Sequence, residues 1–503
     1  MPILNFKGKT FVQNHHLAVQ YHQLVPKSEL SLTDKVSLHD NLIIQGDNLI
    51  ALKALLPTYA GRIKCIYIDP PYNTGNENWV YNDNVNNPML KEWLGQVVDK
   101  EDMTRHEKWL CMMMPRLKLL RELLSEDGAI FISIDYNEEA NLRCLLDEIF
   151  GEGNYRNTFA VSRVKKNIRE HEKVRAINFG YNTVIFYAKS DQTLIVPPTT
   201  FQKKEERWHA FDAPEIRSTM DYKLFGYKPP KNRHWMLSED KAIELVKDGL
   251  LKPNPKTGKP QYKLEASNET MLDTDWTDIQ EAGFTSNFPN GEKNVELIKR
   301  IIKMITNKND IVLDSFAGSG TTAHAVLELN KEDGGNRQFI LVEQEDYANS
   351  ITAERVRRVI TDISTAKNEN LKKGLGGTFS YFELGNAIEM ESLLKGDNLP
   401  SYTEFARYLF YTATGEEFNE KVIDPKIGFI GESTNYEVYL IYEPDVEWLK
   451  RNALTLNACK ALPNFKGKQR LVFAPCKYVD DETCRNYRID FCQLPYEIYR
   501  IQK

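Results

Sequence analysis

From Asn41 to Ile363, short apolar, β-rich runs alternate with stretches of helical spacing. That alternation admits few folds other than a parallel sheet covered by helices on both faces. Leu42-Ile43-Ile44, Ile63–Ile68, Ala129–Ile134, Thr183–Ala188, Ile311–Asp314 and Gln338–Glu343 read as strands. Between them, Asn48–Leu56, Trp109–Leu124, Asn141–Phe150, Asn294–Ile305, Thr321–Leu329 and Ala353–Ile363 read as helices. The expected class is α/β: a doubly wound, mostly parallel, Rossmann-like sheet with an inserted unit and a separate C-terminal α/β or α+β domain.

At 503 residues the chain is too long for one core, and breaks in the pattern suggest where it divides. Residues 1–40 lack periodicity and read as an N-terminal arm. Residues 41–189 form the first half of the sheet domain and 288–373 the second half. Residues 190–287, rich in proline pairs such as Pro197-Pro198 and Pro229-Pro230, form a loop-rich insert. The glycines at 374, 376 and 377 suggest a hinge, so residues 374–503 are expected to fold apart. The seven cysteines show no Cys-x-x-Cys spacing, so zinc ribbons and disulfide frameworks are not expected, and no metal is. No run of about 18 uncharged apolar residues exists to cross a membrane. The first residues, MPILNFKGKT, lack a secretory layout, so a cytoplasmic location is expected.

Two strand-to-loop corners carry the chemistry. The first, Asp314-Ser315-Phe316-Ala317-Gly318-Ser319-Gly320-Thr321-Thr322, lies between a strand and a helix. Gly318 and Gly320 permit a tight turn and close approach of a ligand to the backbone. Glu343, at the end of the next strand, completes an adenosine-binding layout, with backbone at the turn and a carboxylate for ribose hydroxyls. No Gly-Lys-Ser/Thr follows, so this is not a P-loop. A nicotinamide cofactor and a methyl donor both suit such a loop. The polar crowding by Asp314, Thr321 and Thr322 favours a cationic amino-acid tail over a pyrophosphate.

The second corner, Asp69-Pro70-Pro71-Tyr72, follows the β-branched strand at once. Its prolines remove two backbone donors and leave the Pro70 carbonyl as an acceptor beside the Asp69 carboxylate. Two acceptors next to the Tyr72 ring can receive an exocyclic amine while the ring stacks on its base. Hydrogen bonds from both N–H groups favour a pyramidal nitrogen and expose its lone pair to an electrophilic methyl.

Gly46-Asp47-Asn48-Leu49, then Tyr67 to Gly75 with the proline corner, then Phe316-Ala317-Gly318-Ser319-Gly320 occur in that order. In this the chain resembles the β-class DNA amino-methyltransferases, most closely the modification (Mod) subunits of Type III restriction-modification systems, over roughly residues 40–365. The resemblance implies methyl transfer from S-adenosylmethionine to adenine N6 in a flipped-out base of double-stranded DNA. It places the catalytic motif on Asp69, Pro70, Pro71 and Tyr72. It places the donor site on Asp47, Asp314, Phe316, Gly318, Gly320, Thr321 and Glu343. Lys293, after Phe288, stands where the family has a Lys-Pro element, and proline is missing here.

The family inserts its target-recognition region between these motifs, where this chain is locally basic. Residues 151–235 hold 16 Lys and Arg against 9 Asp and Glu, in a chain of net charge -6. Candidate substrate contacts are Lys165, Lys166, Arg169, Lys203, Lys204 and Arg207, with Asn73 beside the corner. A homodimer and a restriction helicase-nuclease subunit are the partners the resemblance implies. Cytosine-N4 or RNA methylation, a nicotinamide-linked enzyme and a non-catalytic recognition subunit are the competing readings.

Overall fold

The computed structural model describes residues 4–74, 104–163, 177, 179–282, 292–364, 366, 368–388 and 399–494. Ten strands join in one sheet: β1 (His22–Pro26), β2 (Leu42–Gln45), β3 (Ile63–Ile68), β4 (Leu124–Ile134), β5 (Tyr155–Ser162), β6 (Tyr181–Ala188), β7 (Asp275–Gln280), β8 (Ile311–Asp314), β9 (Gln338–Glu343) and β10 (Ser380–Ala387). Their order is β1-β10-β2-β9-β8-β3-β4-β6-β5-β7. The block from β10 to β4 is parallel throughout. Strand β1 is antiparallel to β10, and β6 is antiparallel to both β4 and β5. This is the doubly wound, mostly parallel sheet of a Rossmann-like fold.

Every residue of β3 is buried, as a central parallel strand requires. Its side chains alternate between two cores: Ile66 and Ile68 face one, Cys65 and Tyr67 the other. Helices α1 (Asn48–Tyr59), α2 (Arg105–Leu123) and α3 (Glu139–Phe150) supply the first core through Leu52, Leu55, Trp109, Leu120 and Leu145. Helices α4 (Val295–Ile305), α5 (Thr321–Asp333) and α6 (Glu354–Thr361) close the second through Ile298, Ile302, Val326 and Val356. No helix among the described residues is long and apolar enough to cross a membrane.

Three expected boundaries move. The N-terminal arm contributes edge strand β1, and Lys9 pairs with Glu148 at 2.8 Å. Asp275–Gln280, assigned to the insert, is a sheet strand parallel to β5. Ser380–Ala387, assigned to the C-terminal domain, pairs with β2 in the same sheet. Strand pairing decided each case, because edge backbone groups found partners that local sequence does not disclose. Pro197–Asp273 forms a second compact unit. It contains the ribbon Thr199–Lys204 with Ser267–Met271 and a small core of Phe211, Leu224, Trp235, Ala242 and Leu251.

The C-terminal stretch has its own four-stranded sheet, but it is not detached from the large one. Its helix α7 (Tyr402–Thr414) packs on α1, Arg62 pairs with Glu417 at 2.8 Å, and the Phe418 amide donates to the Pro57 carbonyl. The expected hinge is also a packed segment. The Leu375 and Gly376 amides donate to the Val359 and Ile360 carbonyls at 3.0 and 3.1 Å, which satisfies the free carbonyls at the end of α6. Gly374 has φ +76°, and a Cβ there would strike the carbonyl oxygens of Thr361 and Ile360. Gly376 has φ +78° with open space around it. Gly376→Ala should therefore cost only the left-handed strain, about 1–2 kcal/mol. Gly374→Ala should lower the melting temperature distinctly further, because backbone cannot yield; equal shifts by scanning calorimetry would contradict the packed return.

Candidate functional site

Five neighbouring parallel strands, β2, β9, β8, β3 and β4, each deliver an acid at or just past their C-terminal ends. These are Asp47, Glu343, Asp314, Asp69 and Asp135. The C-terminal edge of an open parallel sheet is where ligands bind, because loops diverge there and helix N-termini point inward. The glycine loop follows β8 and the proline corner follows β3. Those two strands are hydrogen-bonded neighbours, with Leu313 opposite Ile66.

The glycine loop is held by its own acids. One oxygen of Asp314 accepts from the Phe316 amide at 3.0 Å, the other from the Thr322 hydroxyl at 2.6 Å. Glu343 accepts from the Gly318 amide at 2.7 Å and from the Glu345 amide at 3.1 Å. Gly318 (φ +51°) and Gly320 (φ +78°) take the left-handed conformations that the turn into α5 needs. A Cβ at Gly320 would press on Thr352, whereas the face of Gly318 is open. Phe316 lies partly buried against the first core. Thr321 points away from the open face: its hydroxyl and that of Ser319 accept from Arg355, which pairs with buried Glu292 at 3.0 Å.

Asp47 caps α1, accepting from the Leu49 and Ile50 amides at 2.9 and 3.1 Å. Asn48 next to it ties the two halves together. Its amide donates to the Ser315 carbonyl at 2.9 Å, and its oxygen accepts from Arg116 at 2.6 Å.

At the proline corner, the Trp109 indole donates to the Pro71 carbonyl at 2.7 Å, pinning the turn to α2. Lys293 stands at the proline corner. Its ammonium meets Asp69 at 3.0 Å, the Tyr72 hydroxyl at 2.6 Å and Glu281. The Tyr72 hydroxyl donates to Glu281 at 2.6 Å, and Asn182 donates to the other Glu281 oxygen. Burial raises the Asp69 carboxyl above its usual range, with Lys293 only partly offsetting it. Burial acts the same way on Glu281, but there Lys293 prevails and the carboxyl falls below its usual range. Asn73 adopts a left-handed φ of +57° and is 0% exposed, its amide donating to buried Glu138, which also meets His106 at 2.6 Å. It builds the turn rather than offering a surface contact.

Sequence reasoning missed Glu281, Glu138 and Arg355, because none belongs to a contiguous motif. Lys203 and Arg207 are exposed in the Pro197–Asp273 unit, and Lys204 there donates to Thr270 at 2.8 Å. Lys165, Lys166, Arg169 and Phe288 lie outside the described residues.

Burial pushes the Asp314 carboxyl up to about 7, against the bonds from Thr322 and Phe316. An unfolded aspartate titrates near ~4, so protons favour the folded chain here. That contribution is complete below about 4 and is lost as pH climbs through about 7. Asp314→Asn, which cannot ionise, should show a smaller fall in melting temperature between pH 5 and pH 8 than the parent. An equal fall in both would count against a burdened carboxylate at this turn.

The family model described as DNA methylase matches residues 63–354, a span containing both motif-bearing strands. The Type III restriction-modification enzyme StyLTI Mod subunit of Salmonella typhimurium is 33% identical over 409 residues, covering 72% of this chain and 61% of that protein. The EcoPI Mod subunit of Escherichia phage P1 is 30% identical over 447 residues, covering 70% and 67%. The Type II methyltransferase M.EcaI of Enterobacter cloacae is 29% identical over 314 residues, covering 58% and 65%. The chain thus spans 61 to 67% of the length of these relatives. Since the match takes in more than half of the sequence, including β3 with its corner and β8 with its glycine loop, this chain belongs to the DNA methylase family.

Proposed function

We propose that the chain is an S-adenosylmethionine-dependent DNA methyltransferase acting on adenine N6. It would be the modification subunit of a Type III-like restriction-modification system. The observation carrying this reading is the adjacency of β3 and β8, which sets an amine-accepting corner beside a glycine loop. When bound, S-adenosylmethionine supplies an electrophilic methyl on a sulfonium. The loop suits that group: Gly318 has an open face, and Glu343 and Asp314 are acceptors rather than pyrophosphate donors. Each Glu343 oxygen already takes one amide hydrogen and keeps capacity for a ribose hydroxyl.

The target adenine must leave the stack, since its N6 is paired within the duplex. Tyr72 offers its ring to the extruded base, and the bond from Trp109 to Pro71 leaves Asp69 and the Pro70 carbonyl as the corner's acceptors. By accepting both N6 hydrogens they draw the nitrogen toward pyramidal geometry and turn its lone pair to the methyl. Holding the reactants in that arrangement supplies much of the rate. The proton released from N6 passes to Asp69 or to water. Lys203 and Arg207, with the basic stretch before them, are the candidate phosphate contacts. A restriction helicase-nuclease subunit is the proposed partner, since the relatives StyLTI Mod and EcoPI Mod are subunits of Type III restriction-modification enzymes, and a homodimer is proposed besides.

Tritiated donor incubated with adenine-unmethylated genomic DNA should yield N6-methyladenine on nuclease digestion. Asp69→Ala should abolish incorporation while the circular dichroism spectrum is unchanged. Gly320→Asp should remove donor binding measured by calorimetry. Incorporation by Asp69→Ala at the parent rate, or product found only as N4-methylcytosine, would refute the assignment.

A further inference from the structure

The charges gathered at the proline corner exceed what amine binding alone requires. Asp69 would suffice as acceptor, yet a second carboxylate and an ammonium are partly buried with it. The Lys293 ammonium donates to the Tyr72 hydroxyl and to Glu281, and lies 3.0 Å from an Asp69 oxygen that itself takes no hydrogen bond among the described residues. The backbone holds this pairing in register: Ala282 bridges Lys293, and the Asn294 amide donates to the Glu281 carbonyl at 2.8 Å. The Glu281 amide in turn donates to the Ser162 carbonyl at 2.9 Å, anchoring it to β5. Asn182 on β6 fixes the other carboxylate oxygen. Glu281 is thus held from three directions, and it holds both Lys293 and Tyr72.

We propose that Glu281 is a positioning residue for methyl transfer, retaining the Lys293 ammonium and the Tyr72 hydroxyl so that Asp69 keeps acceptor capacity for the target amine. The inference rests on the reading that Asp69 receives that amine. Its logic is electrostatic. Two carboxylates and one ammonium net one negative charge, which leaves the corner electron-rich beside a cationic donor. Were Glu281 neutral, the ammonium would fall wholly to Asp69 in a site of low dielectric, drawing away the electron density the amine needs. Were Lys293 missing instead, two partly buried carboxylates would stand together uncompensated, which favours protonation of one. Ionised Glu281 and charged Lys293 therefore work as a pair, and Tyr72 is oriented by the same carboxylate.

The test uses the full-length chain, saturating donor and adenine-unmethylated genomic DNA. Glu281→Gln should lower kcat roughly 10- to 100-fold, with KM for DNA and donor affinity within about threefold of the parent. Adding Lys293→Met should restore part of that loss, because the ammonium no longer binds Asp69. A purely structural role for Glu281 predicts no such recovery. Parent-like kcat in Glu281→Gln, or a double variant no faster than the single one, overturns the proposal. If Glu281→Gln fails to fold, Asn182→Ala with and without Lys293→Met is judged by the same recovery. Failure of the underlying reading looks different: the parent itself would place no methyl on adenine, or Asp69→Ala would retain activity.

Discussion

Ladder pairing between β3 and β8 is the constraint on which the site depends. Each strand ends in a corner whose chemistry is incomplete alone: one offers acceptors without an electrophile, the other a cradle without a nucleophile. Parallel pairing brings both to the same edge of the sheet, where nearby acids from β2 and β9 complete the second. The burial of β3 on both faces makes this adjacency rigid, since a one-residue slip would exchange Ile66 and Ile68 with Cys65 and Tyr67 between two differently packed cores.

Burying so much charge at one edge is costly unless each group finds a partner. The chain meets this with networks that span elements distant in sequence. Arg116 reaches from α2 to Asn48, which holds the Ser315 carbonyl. Arg355 reaches from α6 to the hydroxyls of Ser319 and Thr321 and to Glu292. Glu281 gathers residues from β6, the proline corner and the segment before α4. Each network holds a motif residue by a residue outside the motif, which is how preorganised sites are supported. Asp314 is instructive: burial pushes its carboxyl up to about 7, yet both of its oxygens serve the turn.

Much of this was legible in the sequence. The runs at Ile63–Ile68, Ile311–Asp314 and Gln338–Glu343 are strands at those bounds, because β-branched residues flanked by turn chemistry leave little choice. Amphipathic helix patterns announced α2, α4 and α5 for the same local reason. Long-range pairing was not legible. Nothing within Asp275–Gln280 or Ser380–Ala387 says which sheet it will join, and both lay beyond the expected borders of the sheet domain. The glycines at 374 and 376 carry a local signal for a bend, but only the neighbouring helix end turns that bend into a packed return.

Local sequence determined which short segments could hold a ligand or an amine, because tight turns and proline corners are set by residues in contact along the chain. Tertiary structure decided what stands opposite them. It set Lys293 against Asp69, turned Asn73 and Thr321 inward, and brought Glu281 to Tyr72 across 209 residues. Those outcomes depend on where strands align and which buried charges need partners. Such needs are satisfied in space, and the order of residues along the chain does not express them.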